Sequence, residues 1–330
     1  MEKRLENLHR ALHPCAVAVV GARGLDDYMW LRNMSTFTGP VYSVNIDAKE
    51  LPGIAALGVP NYARLTDIPG PVDFVVVAVP RRAAPIVLQD AIVKGVAGVA
   101  MFTAGFAETG EAEGIQLQQT IVELARAADL ALIGPNCMGL YHPRVGMRNH
   151  IEQPAGEAGN VGFISQSGTH AINFSLYGSS QGLKISKVIS YGNGVVLDSP
   201  DLLTYLLQDP ETTIIGMYVE GVRDGRRLFE VVKRIPPQKP LLIWRGGQTA
   251  AGSRATASHT ASLAQSGEIW EALCRQTGAL RVDGLEEMVD TIKALQFLPS
   301  STGQRLGLVT MTGGPSVVLT DTFARVGLEI

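Results

Sequence analysis

Short, uninterrupted apolar runs set the strongest limit on what this chain can fold into. AVAVV at residues 16–20, FVVVAV at 74–79 and GVAMF at 98–102 show no alternation of polar and apolar positions. Strands of that kind are buried on both faces, the condition of a parallel sheet covered by helices. Helical stretches lie between and after them, near residues 84–94 and 114–128. Strand and helix in turn predict a doubly wound parallel α/β sheet. Further strands are expected at 41–44 and 130–133, and a helix from the Gly24 turn to about residue 34.

The segment 145–159 (VGMRNHIEQPAGEAG) carries Pro, Gly and charge and reads as a linker. The α/β rhythm then restarts. Strands are expected at 161–164, 185–190, 214–219 and 240–244. Helices are expected after Ser167, at 201–208 and 228–234, near 267–276 and at 285–296. This is a second doubly wound unit of flavodoxin-like size. A third start follows: a strand at 306–310, a Gly313-Gly314-Pro315 turn and a helix at 316–325. One β–loop–α unit cannot bury its own apolar face, so the segment reads as the start of a further domain that the chain truncates. The expected domains are 1–148, 149–300 and 301–330.

Composition narrows the function classes. Of 330 residues 46% are apolar and 18% charged, which excludes disorder. Lys and Arg number 28 against 31 Asp and Glu, so no basic surface for nucleic acid or an anionic membrane is expected. Cys15, Cys137 and Cys274 are odd in number and widely spaced, which argues against a disulfide framework or a cysteine zinc site; no metal site is expected. The N-terminal MEKRLENLHRALHP lacks an apolar signal core, and no run approaches the roughly 18 apolar residues of a membrane span. The expectation is a soluble cytoplasmic protein.

Ligands of open parallel sheets bind beyond the carboxyl ends of the strands. In the first unit these positions are Gly21, Ala22, Arg23, Asn45, Val79, Pro80, Thr103, Ala104, Gly105 and Asn136. Gly21 permits a tight turn into a helix whose N-terminus could hold a phosphate, or is a structural turn only. Of the dinucleotide fingerprint only Gly21 and Gly24 occur, and Asn45 stands where an acid would end the second strand, which counts against a nicotinamide dehydrogenase. In the second unit the strand ends bring Ser167, Gly168 and Thr169, then Gly192-Asn193, Glu220 and Arg245. Ser167-Gly168-Thr169 suits a helix cap or a phosphoryl group. His170 follows it. His259 lies in ATASHTASL, a run of small and hydroxyl residues; neutral imidazole near pH 7 can carry a phosphoryl group.

The order AVAVVGA, SVN, VDFVVVAVP, TAGFAETG, GPNCMGL, GFISQSGT, YGNG, YVEG, ASHTASLA and VTMTGGPS resembles the NDP-forming (ADP-forming) acyl-CoA synthetases, relatives of the succinyl-CoA synthetase α subunit. The resemblance covers essentially the whole chain. It implies a Rossmann-like domain that binds coenzyme A, a flavodoxin-like domain with the active-site histidine, and the opening of a third domain. By resemblance His259 is the phosphorylated residue, Glu220 orients it, and Ser167, Gly168 and Thr169 hold the phosphohistidine. Coenzyme A would meet the strand ends of the first domain, with Arg23 and Lys49 as nearby cations. The implied reaction joins a carboxylic acid to CoA through an acyl phosphate. The ATP-grasp domain or subunit that would bring ATP and Mg²⁺ is missing, and no P-loop replaces it, so the chain is expected to be inactive alone and to work in a homo- or hetero-oligomer. The alternative is a non-catalytic CoA-responsive regulatory module of an acyltransferase, which predicts a degraded active loop.

Overall fold

The computed structural model describes residues 2–247, 267–298 and 303–330. They fall into two compact units, Met1–Gln296 and Phe297–Ile330. The first unit holds two six-stranded sheets. Strands β1 (Val17–Val20), β2 (Val41–Val44), β3 (Asn61–Tyr62), β4 (Phe74–Val77), β5 (Gly98–Met101) and β6 (Ala131–Ile133) pair in the order β3-β2-β1-β4-β5-β6. All are parallel, with Val17 opposite Val41 on one side and Phe74 on the other. Every residue of β1, β4, β5 and β6 is buried, as helix-covered faces require. The helices around it are α1 (Glu2–Leu12), α2 (Met29–Asn33), α3 (Leu51–Ala56), α4 (Ala84–Lys94) and α5 (Ala112–Ala127).

The second sheet runs β12-β11-β10-β8-β9-β7, with β7 (Gly139–Tyr141), β8 (Val161–Ser165), β9 (Ile185–Ser190), β10 (Ile214–Val219), β11 (Leu241–Arg245) and β12 (Leu280–Val282). Helices α6 (Gly168–Ser180), α7 (Ser199–Gln208), α8 (Gly225–Val232), α9 (Gly267–Thr277) and α10 (Leu285–Phe297) complete it. Five strands are parallel, but β7 runs antiparallel to β9, so the sheet is mixed and not the purely parallel one expected. The α/β class and the Rossmann-like then flavodoxin-like order stand. One hydrophobic cluster spans both sheets, holding Val17, Val19 and Phe74 of the first and Ile164, Ile189 and Met217 of the second.

Three local expectations are corrected. The helix from Gly24 to about residue 34 is interrupted. Gly24–Asp26 form a 3₁₀ turn, Asp27 and Tyr28 take φ of +51° and +53°, and α2 begins only at Met29. The Asp27 and Tyr28 amides close back onto the Gly24 and Arg23 carbonyls, which ends the turn. Residues 145–159 are no loose linker. Arg148, Asn149 and Gln153 are buried, and Gln153 Oε1 accepts from the Asn149 and His150 amides at 2.9 and 3.0 Å while its Nε2 donates to Ser175. The Arg148 and Gln153 side chains, which read as solvated, are turned inward and hydrogen-bonded there.

The second unit contains α11 (Gly313–Arg325) and one parallel bridge, Arg305 to Glu329. The strand expected at 306–310 is absent because no neighbouring strand in that unit pairs with it among the described residues. No helix among the described residues is long and apolar enough to cross a membrane.

Candidate functional site

In the second sheet the strand order reverses between β8 and β10, and the loops beyond these two strands form the candidate centre. Past β8, Ser165 Oγ donates to the Ser167 carbonyl at 2.7 Å and accepts from the Ser167 amide at 3.1 Å, closing a tight turn. Ser167 then caps α6, its hydroxyl accepting from the His170 amide. The Gly168 and Thr169 amides donate to no acceptor among the described residues, so the first turn keeps orphan donors at the positive end of the helix dipole. A β-carbon on Gly168 would lie 2.7 Å from Met138 Cγ, so the helix start needs glycine to sit against the GPNCM segment.

Past β10 stands Glu220. Its amide and that of Gly221 both donate to Gln166 Oε1, at 2.5 and 3.0 Å, and Tyr218 donates to Glu220 Oε1 at 3.1 Å. The Ser167–Thr169 turn and Glu220 are thereby brought to one strand-end edge, with Gln166 as the crossbar. Burial raises the Tyr218 phenol, and the Glu220 carboxylate adds to it. Behind them His170, Tyr218 and Trp244 pack ring to ring at 4.4–4.8 Å. Burial lowers the His170 imidazole. Its backbone amide, not its ring, is what the cap binds. Arg245 ends β11 nearly buried over Trp270, its guanidinium lowered by burial and then by Arg281. His259 lies outside the described residues.

The first sheet reverses between β1 and β4. Gly21 has φ of +90°, and a β-carbon there would stand 2.7 Å from the Ala78 carbonyl and from Val79 Cγ1. Only glycine lets this loop press onto the one beyond β4. The Ala22 and Arg23 amides donate to no acceptor among the described residues, while Asn45 Nδ2 donates to the Ala22 carbonyl at 2.7 Å. Two free successive amides leave this loop able to cradle an anion such as a phosphate. Arg23 is half-exposed, with only a 3.4 Å contact to Asp26, and Asp27 is matched by Arg32 at 3.0 Å. Lys49 is exposed. Glu50 occupies the next amide, accepting from Gly24 at 2.6 Å. Thr103 is buried and donates to the Val79 carbonyl, and its own carbonyl accepts from the Asn136 amide. Pro80 and Ala104 are exposed beside them.

The two sets of strand ends meet. The Asn193 amide donates to the Pro135 carbonyl and that of Val195 to Gly134. Asn193 Nδ2 donates to Glu108 at 2.7 Å, and Glu108 in turn accepts from the Gly105 amide. Arg81 Nη1 donates to the Gly105 carbonyl, with Glu111 and Glu113 raising its guanidinium through side-chain hydrogen bonds. Sequence reasoning singled out Gly105, Asn136 and Asn193 as strand-end residues. It missed Gln166, Glu108, Glu50 and Arg81, whose roles depend on partners far along the chain.

Residues 16–143 match the family described as "CoA binding domain", and residues 158–295 the one described as "Succinyl-CoA ligase like flavodoxin domain". The α subunit of acetate–CoA ligase (ADP-forming) II from Pyrococcus furiosus is 37% identical over 323 residues, covering 96% of this chain and 69% of that subunit. Acetate–CoA ligase (ADP-forming) I from Archaeoglobus fulgidus is 34% identical over 98% of this chain, which spans only 46% of that protein. The dinucleotide-forming acetyl-coenzyme A synthetase 1 of Ca. Korarchaeum cryptofilum, solved with phosphate and ADP, superposes with a TM-score of 0.87 at 35% identity, covering 98% of this chain and 69% of that one. The chain thus spans about half the length of the Archaeoglobus fulgidus ligase and about two-thirds of the Pyrococcus furiosus α subunit. With identity of this level running through both sheets and their joined strand ends, the chain belongs to the NDP-forming (ADP-forming) acyl-CoA ligase family, related to the succinyl-CoA synthetase α subunit.

Proposed function

We propose that this chain is the CoA-binding and phosphoryl-carrying part of an ADP-forming acyl-CoA synthetase. The observation that carries the reading is the meeting of two strand-end edges. The capped start of α6 and Glu220 share one edge, and Asn193 joins it to the loops of the CoA-binding sheet. His259 carries the phosphoryl group. The orphan amides at Gly168 and Thr169 hold its oxygens, where fixed dipoles stabilise transferring charge. Glu220 accepts from one imidazole nitrogen and leaves the other as the phosphoryl carrier.

The carboxylate of the acid attacks phosphorus, the N–P bond breaks, and an acyl phosphate forms. The CoA sulfur then attacks the acyl carbon and inorganic phosphate leaves. Coenzyme A lies along Gly21, Ala22, Arg23, Asn45, Val79, Pro80, Thr103, Ala104, Gly105 and Asn136, with Arg23 and Lys49 near its phosphates. An ATP-grasp portion, in the same polypeptide or a separate subunit, delivers the phosphoryl group from ATP and Mg²⁺. The 148/149 and 300/301 divisions remain our proposed domain limits, with β7 reaching across the first of them to pair into the second sheet.

The test uses the assembled enzyme with labelled ATP and Mg²⁺. The expected product is an acid-labile, base-stable adduct that His259→Asn abolishes and Glu220→Gln slows by about 10²-fold. In parallel, calorimetry should register CoA binding that Arg23→Ala weakens. Full labelling of His259→Asn would overturn the carrier assignment; absence of CoA binding would overturn the cradle.

A further inference from the structure

The far side of this unit holds a cluster that the synthetase reading leaves unused. His13 follows α1, His142 follows β7, and Glu211 follows α7; their donor atoms all lie within 4.8 Å of one another. His142 Nε2 stands 3.5 Å from Glu211 Oε2, and His13 Nε2 stands 3.7 Å from the same oxygen. His142 is fully buried, and its Nε2 has no hydrogen-bond partner among the described residues. A buried polar atom without a partner is costly and calls for a ligand.

The tautomers follow from the neighbours. His142 Nδ1 lies 2.7 Å from the Leu12 carbonyl, and His13 Nδ1 lies 3.0 Å from the His9 carbonyl. A carbonyl only accepts, so both Nδ1 atoms carry the hydrogen. In the neutral rings both Nε2 atoms then present lone pairs toward Glu211. Imidazoles whose second nitrogen is anchored on a carbonyl, beside a carboxylate that is itself held, are the arrangement of metal-binding histidines. Glu211 is held by Arg144, at 2.8 Å from Oε1.

We propose that His13, His142 and Glu211 bind a divalent metal ion of the zinc type. Zinc ligands at about 2.0–2.2 Å in a tetrahedron stand about 3.3–3.6 Å apart. Two of the three separations are already near that, and His13, with 28% of its side chain exposed, supplies the remaining movement. The fourth position is left to solvent.

Lys187 decides the class of ion. Its ammonium donates to Asp209 at 2.6 Å and to Glu211 Oε2 at 3.0 Å. Lys187 and Arg144 balance Asp209 and Glu211, so the site offers no net negative charge. Calcium and magnesium, which need several oxygens and negative charge, are disfavoured. Two imidazole nitrogens select zinc, cobalt, nickel or copper. The ion would tie together three segments far apart in sequence, away from the strand ends that carry the proposed chemistry.

The test titrates the full chain, stripped of metal by a chelator, with Co²⁺. It uses a Cys15→Ser background, because that exposed thiol sits two residues from His13. The expected result is one equivalent bound with the visible bands of near-tetrahedral cobalt, displaced by Zn²⁺, which also raises the melting midpoint. His13→Ala, which alters a half-exposed side chain and leaves the buried His142 in place, should abolish the bands and weaken Zn²⁺ at least tenfold. Glu211→Gln should weaken it likewise. No saturable uptake by the folded chain, or undiminished uptake by His13→Ala, would overturn the proposal.

Discussion

Gly192 shows how tightly single residues hold the site. Its φ is +51°, and a β-carbon would stand 2.2 Å from the Asn136 carbonyl oxygen and 2.4 Å from that of Pro135. Neither oxygen is on a flexible side chain, so the backbone itself must move. Gly192→Ala should cost at least about 1–3 kcal/mol in strain, read as a lowered melting midpoint; an unchanged midpoint would mean that the two loops are not in this contact. Burial likewise pushes the Cys137 thiol up to about 12, in line with a packing role. Ser167 was legible because a hydroxyl before a helical run is a local cap signal. Gln166 beside it was not, since its partners Glu220 and Gly221 lie 54 and 55 residues away. The His13, His142 and Glu211 cluster was invisible for the same reason. Each residue is ordinary in its own neighbourhood, and only the fold makes them neighbours.

At the scale of elements, every interior strand was readable, and of the four edge strands only β6 was. Strands β1, β2, β4 and β5 in the first sheet, and β8 to β11 in the second, are expected from the sequence alone, most of them as apolar runs. Strands β3, β7 and β12 escaped notice, and each lies at a sheet edge. An edge strand pairs on one side only and is short, so Asn61-Tyr62 and Leu280-Arg281-Val282 carry no continuous apolar signature. The α7 helix shows the opposite case, with its start and its core specified locally. Asp198 accepts from the Ser199 amide at 2.7 Å and forms a capping box with Asp201, at the start of a helix that buries eight residues. Asp198→Ala should cost about 1 kcal/mol, within 0.5–2. Asp201 also pairs with Arg227 at 2.5 Å on α8. If denaturant melts of Asp198→Ala and the parent coincide, the cap contributes nothing.

At the scale of the molecule, chain order and physical unity part company. The apolar core runs from β1 and β4 into β8, β9 and β10, so the two sheets of residues 1–296 should melt together. Trp30 reports on the first sheet and Trp270 on the second. Variants that keep only one of these tryptophans, with the others replaced by Phe, should give coincident thermal midpoints. Midpoints many degrees apart would show two independent folding units. The strand that crosses between the halves also bears on where such a protein could be divided into separately made pieces. The CoA-binding match ends at residue 143 and the flavodoxin-like match begins at 158, yet β7, at Gly139–Tyr141, belongs to the second sheet. A cut in that interval strips β9 of its outer neighbour and leaves a bare row of amides and carbonyls, a template for self-association. A gene fission that respects the fold falls before Gly139, at the cost of separating the GPN turn from the segment that follows it.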